Sequence, residues 1–218
     1  MTCILCNTRK ARRNCPAAQG EICAQCCAEQ REEKLDCPLT CSHLGESRKH
    51  EKYLVVPESA TPHREVRLTD EFMNRNDMLV RYAMVCVGMA ALGTPGATDA
   101  DVREAVDAIV QTLKTADAGL IYESKPVNPF AASIQKQINL QLDALRSEIA
   151  KGSGGAGLRD KDVLGVLVFL SRVAASLNNG RRKGRSFISM MHDKLPKAKA
   201  QEAAESTEAA PSGLIITP

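Results

Sequence analysis

The sequence contains few aromatic residues. They make up 3% of the 218 residues, and tryptophan is absent. Single-strand nucleic-acid binders that stack bases, and many sugar-binding proteins, depend on exposed aromatic rings, so this composition argues against both classes. The sequence also lacks the GxSxG, phosphate-loop, GxGxxG and HExxH motifs of common enzyme sites. We therefore expect a protein that is not an enzyme.

Long hydrophobic runs are missing as well. The two longest, 78–92 and 163–177, are each interrupted by an arginine. A membrane-spanning helix needs about 20 apolar residues, so these runs predict buried helices. Residues 1–10 have no apolar segment typical of a secretory signal. We expect a cytoplasmic protein that does not associate with membranes.

Cysteine is abundant but confined to one end of the chain. Eight of the nine cysteines lie between Cys3 and Cys41, and the ninth is Cys86. Cytoplasmic thiols stay reduced, and two CxxC pairs with one CxxxC pair are typical of metal sites. The candidate ligands are these eight cysteines and one nearby histidine: Cys3, Cys6, Cys15, Cys23, Cys26, Cys27, Cys37, Cys41 and His43.

The spacing predicts two zinc ions. Four thiolates complete a tetrahedral site and leave no open position for a substrate water. Cys26 and Cys27 are adjacent, so we expect their side chains to diverge toward different ions. The first predicted site comprises Cys3, Cys6, Cys23 and Cys26. The second comprises Cys15, Cys27, Cys37 and Cys41, and His43 is able to replace one of them. An iron–sulfur cluster is a less favoured alternative, because the spacing matches neither ferredoxin pattern.

The cysteine pattern, with Arg13-x-Cys15-Pro16-Ala17 and Cys37-Pro38-x-x-Cys41 inside it, resembles an uncharacterised bacterial family of zinc-finger-like proteins. The GLIYE stretch at 119–123 and the NNGRRKGR stretch at 178–185 extend the resemblance. It implies a bacterial protein without an assigned chemistry. The module is also similar to treble-clef, MYND and HIT fingers, which mainly bind proteins. It departs from them in having a lone Cys15 where those fingers have a further CxxC pair.

The rest of the chain predicts a mainly α fold. We expect a cysteine module over 1–43, a linker over 44–68, an all-α bundle of about five helices over 69–195, and a disordered tail over 196–218. Thr69, Thr98 and Asn128 are predicted helix N-caps. The helix from about Asp160 is apolar almost all round and predicts the buried centre of the bundle. Residues 119–124 predict a short strand or an extended linker.

Two basic clusters are candidate contacts for phosphates. Their members are Arg9, Lys10, Arg12, Arg13, Arg181, Arg182, Lys183 and Arg185. Ser186 follows as a predicted cap of the last helix, whose N–H groups would also favour an anion. The other interpretation is structural: the first cluster balances thiolate charge, and the second is a solvated helix end. The formal net charge of +3 does not decide this, since eight thiolates on two Zn²⁺ ions would lower it by four.

We expect a non-catalytic, zinc-stabilised adaptor or scaffold that binds a protein partner. The apolar end of the tail, with Leu214, Ile215 and Ile216, predicts a docking segment that adds to a partner as a strand or folds back onto the bundle. The alternative is a regulator that binds RNA or DNA through the two basic clusters. The pattern does not predict an oligomeric state.

Overall fold

The computed structural model of the chain describes residues 1–152 and 157–195. The tail 196–218, including Leu214, Ile215 and Ile216, lies outside the described residues. The fold is mainly helical, as predicted, and its sheet has two strands. The strands are β1 (Arg13–Cys15) and β2 (Gly20–Ile22). The α-helices are α1 (Ala24–Gln30), α2 (Ser42–Arg48), α3 (Asp70–Arg75), α4 (Asp77–Leu92), α5 (Asp99–Asp117), α6 (Pro129–Gly152), α7 (Asp160–Ser176) and α8 (Ser186–Lys194).

The N-terminal module is built around a small hairpin. β1 and β2 are antiparallel, with Arg13 opposite Ile22 and Cys15 opposite Gly20. A short 3₁₀ turn joins them, and an isolated bridge between Thr2 and Lys10 precedes them. The sequence did not predict this hairpin, because strands of three residues are too short to show an alternating pattern.

The core of the module is small and rich in sulfur. Ile22, Leu35 and Leu44 are buried there together with the eight clustered cysteines, six of which are buried and two partly buried. A core with so few large apolar side chains contributes little stability by itself. The module therefore fits the general pattern of a small domain that depends on a bound metal.

The larger apolar core belongs to the helical bundle. α5 packs against α6 and α7, while α4 packs against α6, α7 and α8. α7 is largely buried, as predicted, but α4 and α5 contact more of the other helices than α7 does, so α7 is not the centre of the bundle. Phe72 of α3 lies directly on Gly165 of α7, where a Cβ atom would come within 2.4 Å of the ring. None of the described helices is long and apolar enough to cross a membrane.

Three predicted helix starts are confirmed. The Thr69 hydroxyl accepts the N–H of Phe72 at 3.1 Å. Thr98 and Asp101 form a reciprocal capping box at the start of α5. The Asn128 side chain accepts the N–H of Phe130 at 2.8 Å. These caps satisfy backbone donors that have no partner within the helix, which fixes where each helix begins.

Two expectations about secondary structure are wrong in detail, and a third is decided between its two alternatives. The apolar run that follows Thr69 forms two helices and not one, because the buried Asn76 leaves helical geometry and its amide donates to the Phe72 carbonyl. Residues 120–124 form an extended linker, one of the two predicted alternatives. The second wrong expectation concerns Ser186, which is the first residue of α8 and not its cap. The buried carboxylate of Asp99 accepts the N–H groups of Phe187 and Ile188 instead.

Candidate metal centre

Four cysteines form a compact group in the module. The Sγ atoms of Cys3, Cys6, Cys23 and Cys26 all lie within 4.8 Å of one another. Zinc–sulfur bonds are about 2.3 Å long, and tetrahedral geometry then places the sulfurs about 3.8 Å apart. The group therefore fits one tetrahedral ion such as zinc. This is the first of the two predicted ligand sets, and Cys27 lies outside it, as its adjacency to Cys26 led us to expect.

The first pair of ligands lies on a tight turn. The N–H of Asn7 donates to the Cys3 carbonyl at 2.8 Å, and the N–H of Cys3 donates to the Arg9 carbonyl at 2.9 Å. Asn7 adopts a positive φ of 54°, which asparagine tolerates better than most residues. The turn brings the Cys3 and Cys6 side chains to the same side of the chain.

The second pair of ligands comes from the start of α1. Cys23 is the N-cap, and its Sγ atom accepts the N–H of Cys26 at 3.4 Å. A sulfur at the N-cap and a second one in the first turn face the same point outside the helix. β2 ends at Ile22 and carries Cys23 up to the first turn. The order of turn, hairpin and helix thus assembles the four sulfurs.

The surroundings of the group favour thiolates at some positions. Hydrogen bonds from Thr8 and Arg9 lower the pKa of Cys6 to about 5, and the backbone N–H of Cys26 lowers the pKa of Cys23. Burial raises the pKa of Cys26 to about 12. The Arg9 guanidinium lies 3.8 Å from the Cys23 sulfur and 3.9 Å from the Cys26 sulfur. Arg9 is therefore placed to balance thiolate charge.

The remaining four cysteines of the module share the same core but are less compact. Burial raises the pKa of Cys37, and repulsion from the neighbouring Cys15 and Cys41 raises it further. Among residues 1–152 and 157–195, Cys15, Cys27, Cys37 and Cys41 do not form a second group within 4.8 Å. The second zinc ion stays a prediction. His43 lies on α2, where it lines a cleft between α1 and α2.

The second basic cluster joins the module to the bundle. Arg181 donates to the carbonyls of Arg31 at 2.7 Å and Ala28 at 3.4 Å, at the end of α1. The Lys183 ammonium lies 3.5 Å from the carbonyl of Lys34. Three of the four cations in this cluster make such contacts, and Arg182 is the exposed exception among the described residues.

Arg185 makes the most extensive of these contacts. Its guanidinium forms an ion pair with Asp36 at 2.7 Å and donates to the carbonyl of Cys37 at 3.3 Å. It also donates to the carbonyl of Ala97, which precedes α5. The side chain therefore connects the cysteine module to the bundle. The sequence offered no signal for this role, because Asp36 and the two carbonyls are all far from Arg185 in the chain.

Glu32 is a structural residue that the sequence did not reveal. It is 1% exposed, and it forms an ion pair with Arg48 at 3.0 Å. The Asn179 amide and the N–H of Arg185 also donate to its carboxylate. Its backbone carbonyl accepts the N–H of Lys183 at 2.7 Å. Glu32 thus holds the loop before α8 against the module.

The first basic cluster is dispersed. Arg9 faces the sulfurs, as described above, whereas Lys10 and Arg12 are exposed. Arg13 on β1 is half-buried and lines the same cleft as Arg181. The two basic clusters therefore meet at Arg13 and Arg181.

Comparisons of the chain with protein-family models, with curated proteins and with solved structures give no match. The resemblance to bacterial zinc-finger-like proteins therefore depends on the sequence pattern. The structure supports its coarser part, a cysteine group able to hold a metal ion.

Proposed function

We propose that this protein is a non-catalytic, zinc-stabilised adaptor that binds a protein partner. The observation that carries the proposal is an exposed apolar segment between α5 and α6. Leu120, Ile121 and Tyr122 are 62%, 107% and 65% exposed, and they are consecutive. Apolar side chains exposed in such a group mark interaction surfaces more often than single ones do.

The backbone of this segment is held in place while part of its hydrogen-bonding capacity remains free. The Thr115 hydroxyl donates to the Tyr122 carbonyl at 3.3 Å, and the N–H of Ser124 donates to the Thr112 hydroxyl at 2.9 Å. Ile121 makes no backbone hydrogen bond within the described part of the chain. An extended chain with free N–H and C=O groups can pair with an added strand. The proposed partner is therefore an extended apolar peptide segment.

Zinc has a structural role in this proposal. One ion is held by Cys3, Cys6, Cys23 and Cys26, and a second by Cys15, Cys27, Cys37 and Cys41 after a local rearrangement. Zinc bound by four thiolates supplies cross-linking and not catalysis, because no coordination position remains for a substrate. The order of a cysteine turn, a hairpin and a helix start supports the likeness to treble-clef fingers. The predicted docking role of Leu214, Ile215 and Ile216 stays a prediction.

An experiment that places positive charges on this apolar segment tests the adaptor proposal. Proteins that co-purify with the full-length chain are identified, and each is then titrated against purified chain. We expect Ile121→Lys/Tyr122→Lys to weaken one such complex by about tenfold or more, because burial of each apolar side chain contributes about 1.5–3 kcal/mol. Met78→Lys is the control, since Met78 is 78% exposed on α4 and not part of the segment between α5 and α6. Equal binding by the wild type and both variants would contradict the proposal.

The RNA- or DNA-binding alternative is less well supported. It requires the basic clusters to be free, whereas Arg181, Lys183 and Arg185 contact the module and Arg9 contacts sulfur. We expect only weak binding to generic RNA at physiological salt. Tight binding with a steep salt dependence would favour the alternative, because each phosphate contact releases counterions.

A further inference from the structure

A cleft of about 570 Å³ lies between α1 and α2, next to the loop before α8. Ala24 and Ala28 form the α1 side of this cleft, and His43, Ser47 and His50 belong to the α2 side. Alanine side chains are short, so the two helices leave a space between them. The volume is within the range of about 300–1,000 Å³ that is typical of small-molecule sites.

Cations from four separate parts of the chain converge on this cleft. Arg13 comes from β1, Arg31 follows α1, Lys52 follows α2, and Arg181 comes from the loop before α8. Within the described residues, the side chains of Arg13, Arg31 and Lys52 form neither an ion pair nor a hydrogen bond. Three cations that have no ion-pair partner, around one concave surface, favour a positive potential there.

Two carboxylates, fewer than the four cations, also line the cleft, so an excess of positive charge remains. Glu51 accepts hydrogen bonds from the Asn179 amide at 2.8 Å and from the Ser186 hydroxyl at 3.0 Å. Glu46 forms an ion pair with Lys49 at 2.7 Å. Neither carboxylate is paired with a cation that lines the cleft.

Arg181 is fixed in position while part of its guanidinium remains available. Two carbonyls at the end of α1 hold its Nη atoms. A guanidinium has five N–H donors, so others stay free for a ligand. Arginine held in this way is suited to phosphate oxygens, which accept two parallel hydrogen bonds.

We infer that this cleft is a binding site for a compact anion that carries phosphate groups. Arg13, Arg31, Lys52 and Arg181 provide the charge, and Ala24 and Ala28 provide the space. A concave site suits a small polyanion better than a nucleic-acid strand, because Lys10, Arg12 and Arg182, the other exposed members of the two clusters, do not line it. No Phe, Tyr or Trp ring lines the cleft, and its four cations make phosphate groups the main recognised feature.

The test is a calorimetric titration of the zinc-loaded full chain with inorganic pyrophosphate, at concentrations that leave the zinc content unchanged. The variant Arg13→Gln/Arg31→Gln/Lys52→Gln removes cations without internal bonds, so its fold should survive. The control Arg12→Gln/Arg64→Gln/Arg67→Gln removes the same charge from exposed positions outside the cleft. We expect the cleft variant to bind at least about tenfold more weakly and the control within about twofold of the wild type.

Two outcomes would overturn the inference. Equal weakening in both triple variants would show that the attraction is diffuse surface charge. Tight binding of an RNA oligonucleotide that pyrophosphate does not displace would assign the basic residues to a nucleic-acid surface instead. The first outcome does not bear on the adaptor proposal, because the cleft and the segment Leu120–Tyr122 have no residue in common. The second would also favour the RNA- or DNA-binding alternative.

Discussion

The carboxylate of Glu32 accepts the backbone N–H of Arg185 at 3.1 Å, although 153 residues separate the two in the chain. This bond lies between the cysteine module and the start of α8. The same carboxylate binds the Arg48 guanidinium and the Asn179 amide. One buried acidic side chain therefore connects α2 with the loop that precedes α8.

Replacing Glu32 should destabilise the protein strongly. Glu32→Ala leaves the Arg48 guanidinium, which is 13% exposed, without its counter-charge. Breaking a buried ion pair by removing one partner costs about 3–5 kcal/mol. The control Glu46→Ala breaks the exposed pair with Lys49, which contributes about 0–1 kcal/mol. Urea denaturation measures both variants, and equal midpoints would disprove a structural role for Glu32.

Metal loss should affect the module more than the bundle. Cys26→Ser removes a ligand, so the module should lose amide protection together with its metal. The loop 181–185 should lose protection too, because its partners are carbonyls of the module. α5, α6 and α7 have their own apolar core and should stay protected. Amide hydrogen exchange measures the protection of the module, of this loop and of the three helices separately.

Cys86→Ser is the matched control for that experiment. Cys86 is buried in α4, within the bundle and outside the cysteine module. The Cys86→Ser chain should therefore keep its full metal content, and the amide protection of its cysteine module should not change. Uniform loss of protection across the Cys26→Ser chain would mean that module and bundle unfold as one unit.

A side chain at position 165 should destabilise the protein. A Cβ atom there would meet the Phe72 ring at 2.4 Å, so Gly165→Ala should cost about 1–3 kcal/mol through overpacking. Gly45 of α2 has no atom within 4 Å of the added Cβ position. Gly45→Ala should instead stabilise the protein by about 0.5–1 kcal/mol, because alanine favours helices. Thermal unfolding measures both changes, and a stabilising Gly165→Ala would contradict the packing described for α3.

Asp99 should make stability depend on pH. Burial raises its pKa to about 6, and the N–H groups of Phe187 and Ile188 only partly oppose that rise. The folded state then holds the proton more tightly than the unfolded chain, whose Asp pKa is about 3.9. The free energy of unfolding should therefore fall by about 2 kcal/mol as the pH rises from about 4 to about 6, and by up to about 3 kcal/mol over the whole titration.

The control for this pH dependence is Asp99→Asn, which cannot titrate at that position. Urea denaturation of both proteins across the same pH range cancels the contribution of the other groups, including the cysteines. The difference between wild type and variant should decrease as the pH rises. An increase over that range would mean that the carboxylate is stabilised as an anion by the start of α8.

The sequence predicted features that depend on local spacing. The CxxC pairs identified Cys3, Cys6, Cys23 and Cys26, and Thr98 identified the start of α5. These features need only residues that are close in the chain or that repeat a known motif. They could therefore be found without knowledge of the tertiary structure.

Features that depend on distant contacts could not be predicted. Asp99 caps α8 from the first turn of α5, and Arg185 binds the carbonyl of Cys37. Neither the composition nor the residue spacing of the sequence reveals these two contacts. The basic cluster at 181–185 looked like a solvated surface or a phosphate contact, because backbone carbonyls as partners leave no trace in the sequence.

Elemental analysis of the purified full chain, produced without added metal, tests the central claim most directly. The account predicts zinc at close to two ions per chain with little iron, one of them bound by the compact group of Cys3, Cys6, Cys23 and Cys26. One zinc ion per chain would remove the second site and leave that group as the metal centre. A chain free of zinc, or a brown sample that contains iron instead, would contradict the account.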